Sequence, residues 1–414
     1  MKLLCVSNGH GEDAIALRIL KALQQAESGQ TLELAALPIV GEGHSYRAAQ
    51  IPIAGQTQIM PSGGFVYMDG KQLWRDMQGG LLSLTRSQLR VVRQWGNSGG
   101  QVLAVGDIVP LLFAWLSGAP YAFVGTAKSD YYLRDDSGPL THRPWFGRLE
   151  EWSESVYLPW ERWLMGRPCC RAVFPRDSLT SETLQRWAIP TVDLGNPMMD
   201  GLQTDDLCSA QPIATPQPST ILLLPGSRSP EAERNWQHML SAVDAVQQIW
   251  GDVRFCAAIS PNLNLESFCQ LAARQGWQSG DAKTKSDRGI YTRGGATLQI
   301  GSRFNEFAHG TDMAIAMAGT ATEQVVGLGK PVMTLVGEGP QFTAAFAEAQ
   351  TRLLGQSVEL VDLPNNMGNA MQRLWVDMPR RQAIARNGRR RLGPSGAAER
   401  IAAHLLNVMP SGTL

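Results

Sequence analysis

The stretch that most restricts the fold is Ala314–Pro331, AIAMAGTATEQVVGLGKP. Small and β-branched residues lead to Gly319, Thr320-Ala321-Thr322 follows, and a short helical segment begins at Glu323. Lys330-Pro331 then opens a second apolar run, VMTLV. The succession reads as strand, tight loop, helix, strand: one βαβ unit. Its helix starts in a glycine- and threonine-rich loop. The free N–H groups and positive dipole end therefore point at that loop, a geometry that holds an anion such as a diphosphate. Glu323, on the first turn, lies about where the ribose of such a ligand would be. The plainer reading is an ordinary βα turn with Thr322 as N-cap.

The same plan recurs along the chain, without an internal sequence repeat. Lys2–Ser7 reads as a buried strand, Asn8-Gly9-His10-Gly11 as a glycine loop, and Glu12 to Ala26 as a helix striped with Ile15, Ile19, Leu20 and Leu23. Ligands of doubly wound sheets bind at such strand ends. The loop is not G-x-G-x-x-G, so it carries no dinucleotide fingerprint. His10, beside Glu12 and Asp13, is a candidate general base because imidazole titrates near neutrality; a plain surface histidine is the alternative. Leu32–Ile39 reads as a second strand. QVLAVG (Gln101–Gly106) is another, ending at Asp107, whose carboxylate faces the crevice or caps the next helix. Further on, Arg171–Phe174 and Thr191–Leu194 read as strands and Ser178–Ala188 as a helix.

Thr220–Leu224 restarts the pattern. Pro225-Gly226-Ser227-Arg228-Ser229 follows, then a helix from Pro230 to Trp250 with Ser229 as N-cap and Pro230 at its first position. Arg228 stands in the loop, able to neutralise a phosphate. Val253–Ile259 and Ala296–Gly301 read as strands, Arg303–His309 and Thr343–Thr351 as helices, and Ser395–Val408 as a last helix. The polar, proline-rich tract ending QPIATPQPS marks the boundary. The organisation expected is residues 1–200, a linker at 201–219, residues 220–394, and a C-terminal helix at 395–414 packing back toward the first domain.

Composition narrows the function. The 37 basic and 37 acidic residues cancel, so no global field attracts nucleic acid, and the only dense basic run is Arg380–Arg391. Six cysteines without a C-x-x-C pair give neither a disulfide framework nor a zinc site, and no metal is expected. The N-terminus is too short in apolar residues for a signal peptide. Ile108–Ala127 is uncharged over a length that could cross a bilayer. Pro110, Gly118, Pro120 and Gly125 divide it, however, and a helix Pro110–Ser117 followed by a strand YAFVG explains it better.

Three segments point toward a membrane surface. Gly41–Met68 is glycine-rich, with an apolar loop at Met60–Met68. Leu73–Trp95 reads as a helix with arginines between its leucines, able to dock on anionic lipid or simply to cover the sheet. Tyr131–Pro168 interleaves Trp145, Trp152, Trp160 and Trp163 with Arg134, Arg143, Arg148, Arg162 and Arg167. Such a mixture lines a sugar or lipid surface, or packs as an insertion on its own aromatics.

Four motifs together carry a family likeness: LPGSR (Leu224–Arg228) with Glu231, AGTATEQ (Ala318–Gln324), GNPMMDG (Gly195–Gly201), and the strand ending at Asp107. The chain resembles the lipid-A-disaccharide synthases and their related proteins, strongly from Phe174 onward and loosely before. The resemblance implies an α/β fold of two Rossmann-like doubly wound domains facing a cleft, the GT-B fold. It implies an inverting, metal-free glycosyltransferase with a UDP-sugar as co-substrate and no cofactor. Gly226, Ser227, Arg228 and Gly319, Thr320, Ala321, Thr322 would hold the diphosphate, with Glu323 on the ribose and Gln324 beside it. Gly9, Gly11 and Glu12 would form the acceptor loop, and His10 or Asp107 would be the base. The chain departs in its GHGED loop, which is nearer the Gly-His loops of other GT-B transferases and of nucleotide-sugar 2-epimerases. Gly-Asn-Pro also stands where the family has Gly-His-Pro. The partners expected are a nucleotide-sugar, a lipid acceptor and an anionic membrane surface, with the protein cytoplasmic and peripheral on the inner membrane face. A soluble UDP-sugar epimerase or hydrolase, or a non-catalytic nucleotide-sugar-binding protein, are the alternatives.

Overall fold

The computed structural model describes residues 1–26, 32–57, 81–135, 138–139, 152–202, 217–280, 289–339 and 342–409. The chain divides into two compact units, Met1–Asp200 with Pro394–Leu414, and Gly201–Gly393. Met60–Met68, residues 73–80, Arg143, Trp145 and Arg148 lie outside the described residues, as do the side chain of His10 and most of the expected linker.

The first unit is built on a parallel sheet of β1 (Lys2–Ser7), β2 (Glu33–Pro38), β3 (Gln101–Gly106), β4 (Tyr121–Gly125) and β7 (Cys170–Phe174). A small hairpin, β5 (Arg134–Asp135) with β6 (Gly138–Pro139), stands apart from it. The sheet order is β2-β1-β3-β4-β7, so the winding reverses between β1 and β3. All but one of the residues of β1 are buried, as a parallel strand covered on both faces requires. One face packs Leu4, Val6, Val102, Ala104, Tyr121 and Phe123 under helices Leu81–Asn97, Ile108–Leu116 and Pro159–Met165. The other packs Leu3, Cys5, Leu103, Val105 and Val124 under helices His10–Gln25 and Ala397–Val408. The Ile108–Ala127 stretch is thus a nine-residue helix and a central strand. Among the described residues no helix is long and apolar enough to cross a membrane.

The second unit holds β8 (Thr220–Leu224), β9 (Arg254–Ala258), β10 (Gln278–Ser279), β11 (Ile290–Arg293), β12 (Ala296–Gly301), β13 (Met313–Ala316), β14 (Val332–Leu335) and β15 (Val358–Val361). Their order is β10-β11-β12-β9-β8-β13-β14-β15, with β10 to β12 antiparallel and the rest parallel. The parallel core is therefore a six-stranded Rossmann sheet that reverses between β8 and β13. Its core gathers Ile221, Leu223, Phe255, Ile315 and Leu335 with Trp236, Met239 and Val243 of helix Glu231–Ile249.

Several expected boundaries move. The helix expected from Glu323 starts at Thr320, with Gly319 at the N-cap position in place of Thr322. Ser229 does not cap the next helix, which runs Glu231–Ile249; its first turn is closed by the Ala232 N–H on the Arg228 carbonyl (2.8 Å). The strand expected at Thr191–Leu194 is reduced to one bridge, Thr191 to Val173, with the Val192 N–H on the Val173 carbonyl (2.9 Å). The basic run Arg380–Arg391 lies within the helix Met378–Leu392. Arg391 is buried there and donates to the carbonyls of Arg352 (2.8 Å) and Leu353 (2.6 Å).

Candidate functional site

In the first unit the crevice at the reversal lies where β1 and β3 end. Gly9, with φ 136°, turns the chain out of β1 into helix His10–Gln25. His10 is its first residue, Gly11 is exposed, and Glu12 is half-buried. Across the reversal, Asp107 caps helix Ile108–Leu116 through the Val109 N–H (2.8 Å). Its other oxygen accepts from Asn8 Nδ2 (3.1 Å). The capping reading of Asp107 holds, and its second oxygen is held by the loop that follows β1. Glu12 reaches the hydroxyl of Thr126, just past β4, at 3.5 Å. Gly106 needs glycine for its φ of 137°, and a Cβ there would sit tightly, 3.3 Å from Glu12 and 3.4 Å from Asn8. Asp13 turns away, accepting from the buried Ser7 hydroxyl (2.6 Å), which also meets Tyr46 (2.7 Å).

The electrostatics favour a protonatable carboxyl. Burial raises Asp107 above the usual carboxylate range, partly offset by the Val109 N–H and by Lys128. Lys128 itself is clamped by both oxygens of the buried Glu161 (2.8 and 2.6 Å). Further along, Asp130 is fully buried and pushed up to about 6 by desolvation, against the bond it accepts from the Val156 N–H (2.9 Å). Burial raises Asp177 as well. Asn8, Thr126, Lys128 and Asp130 were not singled out in the sequence. Only Asn8 carried a signal, its place within the glycine loop.

In the second unit, the loops after β8 and β13 meet at the other reversal. The Met317 N–H donates to the Leu224 carbonyl (2.8 Å), and Asn235 Nδ2 to that of Pro225 (3.0 Å). Gly226 has φ 108°, and a Cβ would lie 3.2 Å from the Met317 carbonyl oxygen, so the two loops touch through backbone. Ser227 and Arg228 are exposed beyond it. No side chain caps helix Thr320–Gly327; the Thr322 and Glu323 N–H groups both turn back to the Gly319 carbonyl (3.0 and 3.2 Å), and the N–H groups ahead of them are those a helix start leaves without intrahelical partners. Thr320 is exposed; Ala321, Glu323 and Gln324 are half-buried. Thr322 is buried, with its hydroxyl on the Ala318 carbonyl (2.7 Å), which also accepts from Gln350 (2.9 Å). Its side chain stiffens the loop, leaving backbone groups to meet any anion. Glu231 is buried and accepts from the Phe342 N–H (2.6 Å), tying in the loop after β14.

GNPMMDG serves the architecture. Asn196 caps a short turn through Met198 N (3.0 Å), and the Pro197 carbonyl accepts from Arg18 (2.6 Å). Asp200 receives the N–H groups of Gly396 (2.6 Å), Ala397 (3.0 Å) and Ala398 (2.7 Å), holding the start of the C-terminal helix. Among the described residues no group of three or more His, Cys, Asp or Glu could hold a metal.

Two Rossmann-like units with glycine loops at both reversals define the GT-B class of α/β fold, and solved structures of that class match along the whole chain. The S. aureus MnaA–UDP co-structure matches with a TM-score of 0.57 at 15% identity, covering 100% of this chain and 98% of the other. UDP-GlcNAc 2-epimerase from Neisseria meningitidis, bound to UDP-GlcNAc, matches at 0.53 and 15%, covering 98% and 100%. Acinetobacter baumannii MurG matches at 0.54 and 14%, covering 98% and 99%. No protein-family model and no curated protein matches the chain.

Proposed function

We propose that this protein is an inverting glycosyltransferase that moves a sugar from a UDP-sugar to a lipid or lipid-like acceptor, at the cytoplasmic face of the inner membrane. The observation that carries the donor half is the uncapped N-terminus of helix Thr320–Gly327, set at the sheet reversal beside the Gly226–Arg228 loop. Its backbone N–H groups and Arg228 would balance the diphosphate as it leaves. Glu323, on the first turn, would accept from the ribose hydroxyls. The acceptor hydroxyl attacks the anomeric carbon opposite the diphosphate. The carbon–oxygen bond to UDP breaks, and the acceptor proton passes to a base, Asp107 or His10. The raised, half-buried Asp107 carboxyl supports the first choice. The reaction so written uses no metal.

A second reading keeps the donor site and drops the acceptor: a UDP-sugar 2-epimerase. The carboxyls at the ends of β1 and β3, Glu12 and Asp107, favour it, as does the likeness to epimerase structures. One experiment separates the two. The protein is incubated with UDP-GlcNAc, with and without a bacterial lipid extract, and sugars and UDP are followed by NMR. Lipid-dependent UDP release supports transfer. A new UDP-sugar without lipid supports epimerisation and overturns the transferase reading.

A further inference from the structure

We propose that three adjoining helices of the first unit form a docking face for an anionic lipid bilayer. Helices Leu81–Asn97, Ile108–Leu116 and Pro159–Met165 pack side by side over one face of the sheet. Leu84, Val92, Leu111, Phe113, Ala114, Leu164 and Met165 point inward, so their opposite sides form an outer surface. The middle helix carries no charge, and it exposes Leu112 (38%) with Trp115 half-exposed one turn on. Trp163 of the third helix is 50% exposed and meets Trp115 edge to face at 5.4 Å; Trp160, one turn earlier, is 51% exposed. Water-facing tryptophans on two touching helices form an apolar patch of a kind monomeric proteins rarely leave bare.

Charge selects the occupant. On helix Leu81–Asn97, Arg86, Arg90 and Arg93 are all exposed at spacings of four and three, one stripe of that helix. The helix contains no carboxylate. Arg93 reaches over to the Leu116 carbonyl (3.3 Å), joining the stripe to the apolar helix. On the far side, the Arg167 guanidinium lies 4.6 Å above the Trp163 ring. The one carboxylate of the third helix, Glu161, is buried on Lys128. Glu154, before that helix, is exposed and faces Arg162, which stacks on Trp187 at 3.7 Å. Indoles flanked by guanidinium groups suit the headgroup boundary of a bilayer, where the rings sit at the interface and the cations meet phosphates. The docking face is independent of the sugar chemistry proposed above.

The test is co-sedimentation of the full-length protein with vesicles of phosphatidylcholine alone or of equimolar phosphatidylcholine and phosphatidylglycerol, at low and high salt. The wild type is expected to bind the anionic vesicles and to release at high salt. Replacing Arg86, Arg90 and Arg93 by Gln should weaken that binding on the order of 100-fold. A Leu112→Ser, Trp160→Ser variant should lose it too, while circular dichroism and UDP calorimetry report an intact fold and donor site. No binding by the wild type, equal binding to neutral vesicles, or indifference to both variants would overturn the proposal. So would a concentration-dependent dimer that the Leu112→Ser, Trp160→Ser variant abolishes, because the face would then belong to a second copy of the chain.

Discussion

Glu323 stands half-buried on the first turn of an uncapped helix, so its removal tests the donor site without disturbing a core. Glu323→Ala should weaken UDP binding by roughly 1–3 kcal/mol, since the ribose hydroxyls lose a charged acceptor. Isothermal calorimetry reads it, and unchanged affinity in a folded variant removes Glu323 from the site. For the base, one of Asp107→Asn and His10→Ala should cut turnover by about 10²–10⁴-fold with UDP affinity near wild type. Full activity in both would end that mechanism. Asp130 supports a pH prediction. Its folded value, about 6, lies above the ordinary one of 3.8, so the folded state holds the proton more tightly. The cost is absent below the unfolded value and accumulates as pH rises from there to the folded value. The stability of the wild type minus that of Asp130→Asn should therefore fall between pH 4 and pH 6, by up to about 3 kcal/mol. Urea unfolding of both proteins across that window measures it, and a difference that stays flat or grows would contradict the burial argument.

At the scale of elements, the helix proposed to hold the diphosphate is held from behind by a glycine. A Cβ on Gly388 of helix Met378–Leu392 would run into the backbone carbonyl of Val326 in helix Thr320–Gly327. Gly388→Ala should cost about 1–3 kcal/mol as the helices are forced apart. It should also lower UDP affinity, because the helix start moves with its body. Wild-type stability with wild-type affinity would show that the helices can separate freely. This close approach illustrates what the sequence alone conveyed. Strands β1, β3, β8 and β13 and the loops after them could be read directly, because glycine interrupts a buried apolar run at each. The helix Met378–Leu392 read only as a dense basic run, since nothing local announces that Arg391 will satisfy the carbonyls of Arg352 and Leu353. The helix Leu265–Arg274 was missed, though Asn264 caps it (3.1 Å to the Glu266 N–H). Its apolar stripe is short and the loop before it is irregular. Asn8 to Asp107 and Lys128 to Glu161 join residues distant in sequence, so only the sheet order reveals them. GNPMMDG was noticed as a family likeness, while its work here, anchoring a helix two hundred residues away, depends on the chain's return.

That return sets the organisation of the whole molecule. The polypeptide leaves the first unit at Asp200, completes the second, and comes back at Pro394. Helix Ala397–Val408 then lies against helix His10–Gln25, with Ile401, Ala402 and Leu405 buried in the same core as Ile15, Ile19 and Leu23. Phe174 of β7 meets His404 edge to face at 5.6 Å, and Arg400 donates to the Leu194 carbonyl (3.0 Å). The first unit therefore contains a covering helix supplied from the far end of the chain. A chain ending at Gly393 should lose this cover. Burial of each large aliphatic side chain contributes about 1.5–3 kcal/mol, so the first unit forfeits several kcal/mol. Asp200 would also keep a half-buried carboxylate deprived of its three N–H partners. The second unit, closed at Gly393, should be untouched. Differential scanning calorimetry of the full-length and truncated chains, each with and without UDP, tests this. The truncated chain should show one transition moved down by many degrees and a second at its wild-type position. UDP should raise only that second transition, because a ligand stabilises the unit that binds it. Hydrogen exchange assigns the lowered transition: protection should fall in β1, β3 and helix His10–Gln25 and persist in β8, β13 and helix Thr320–Gly327. Loss of both transitions together would mean that the units fold as one cooperative body, and an unchanged first transition would mean that the returning helix is dispensable.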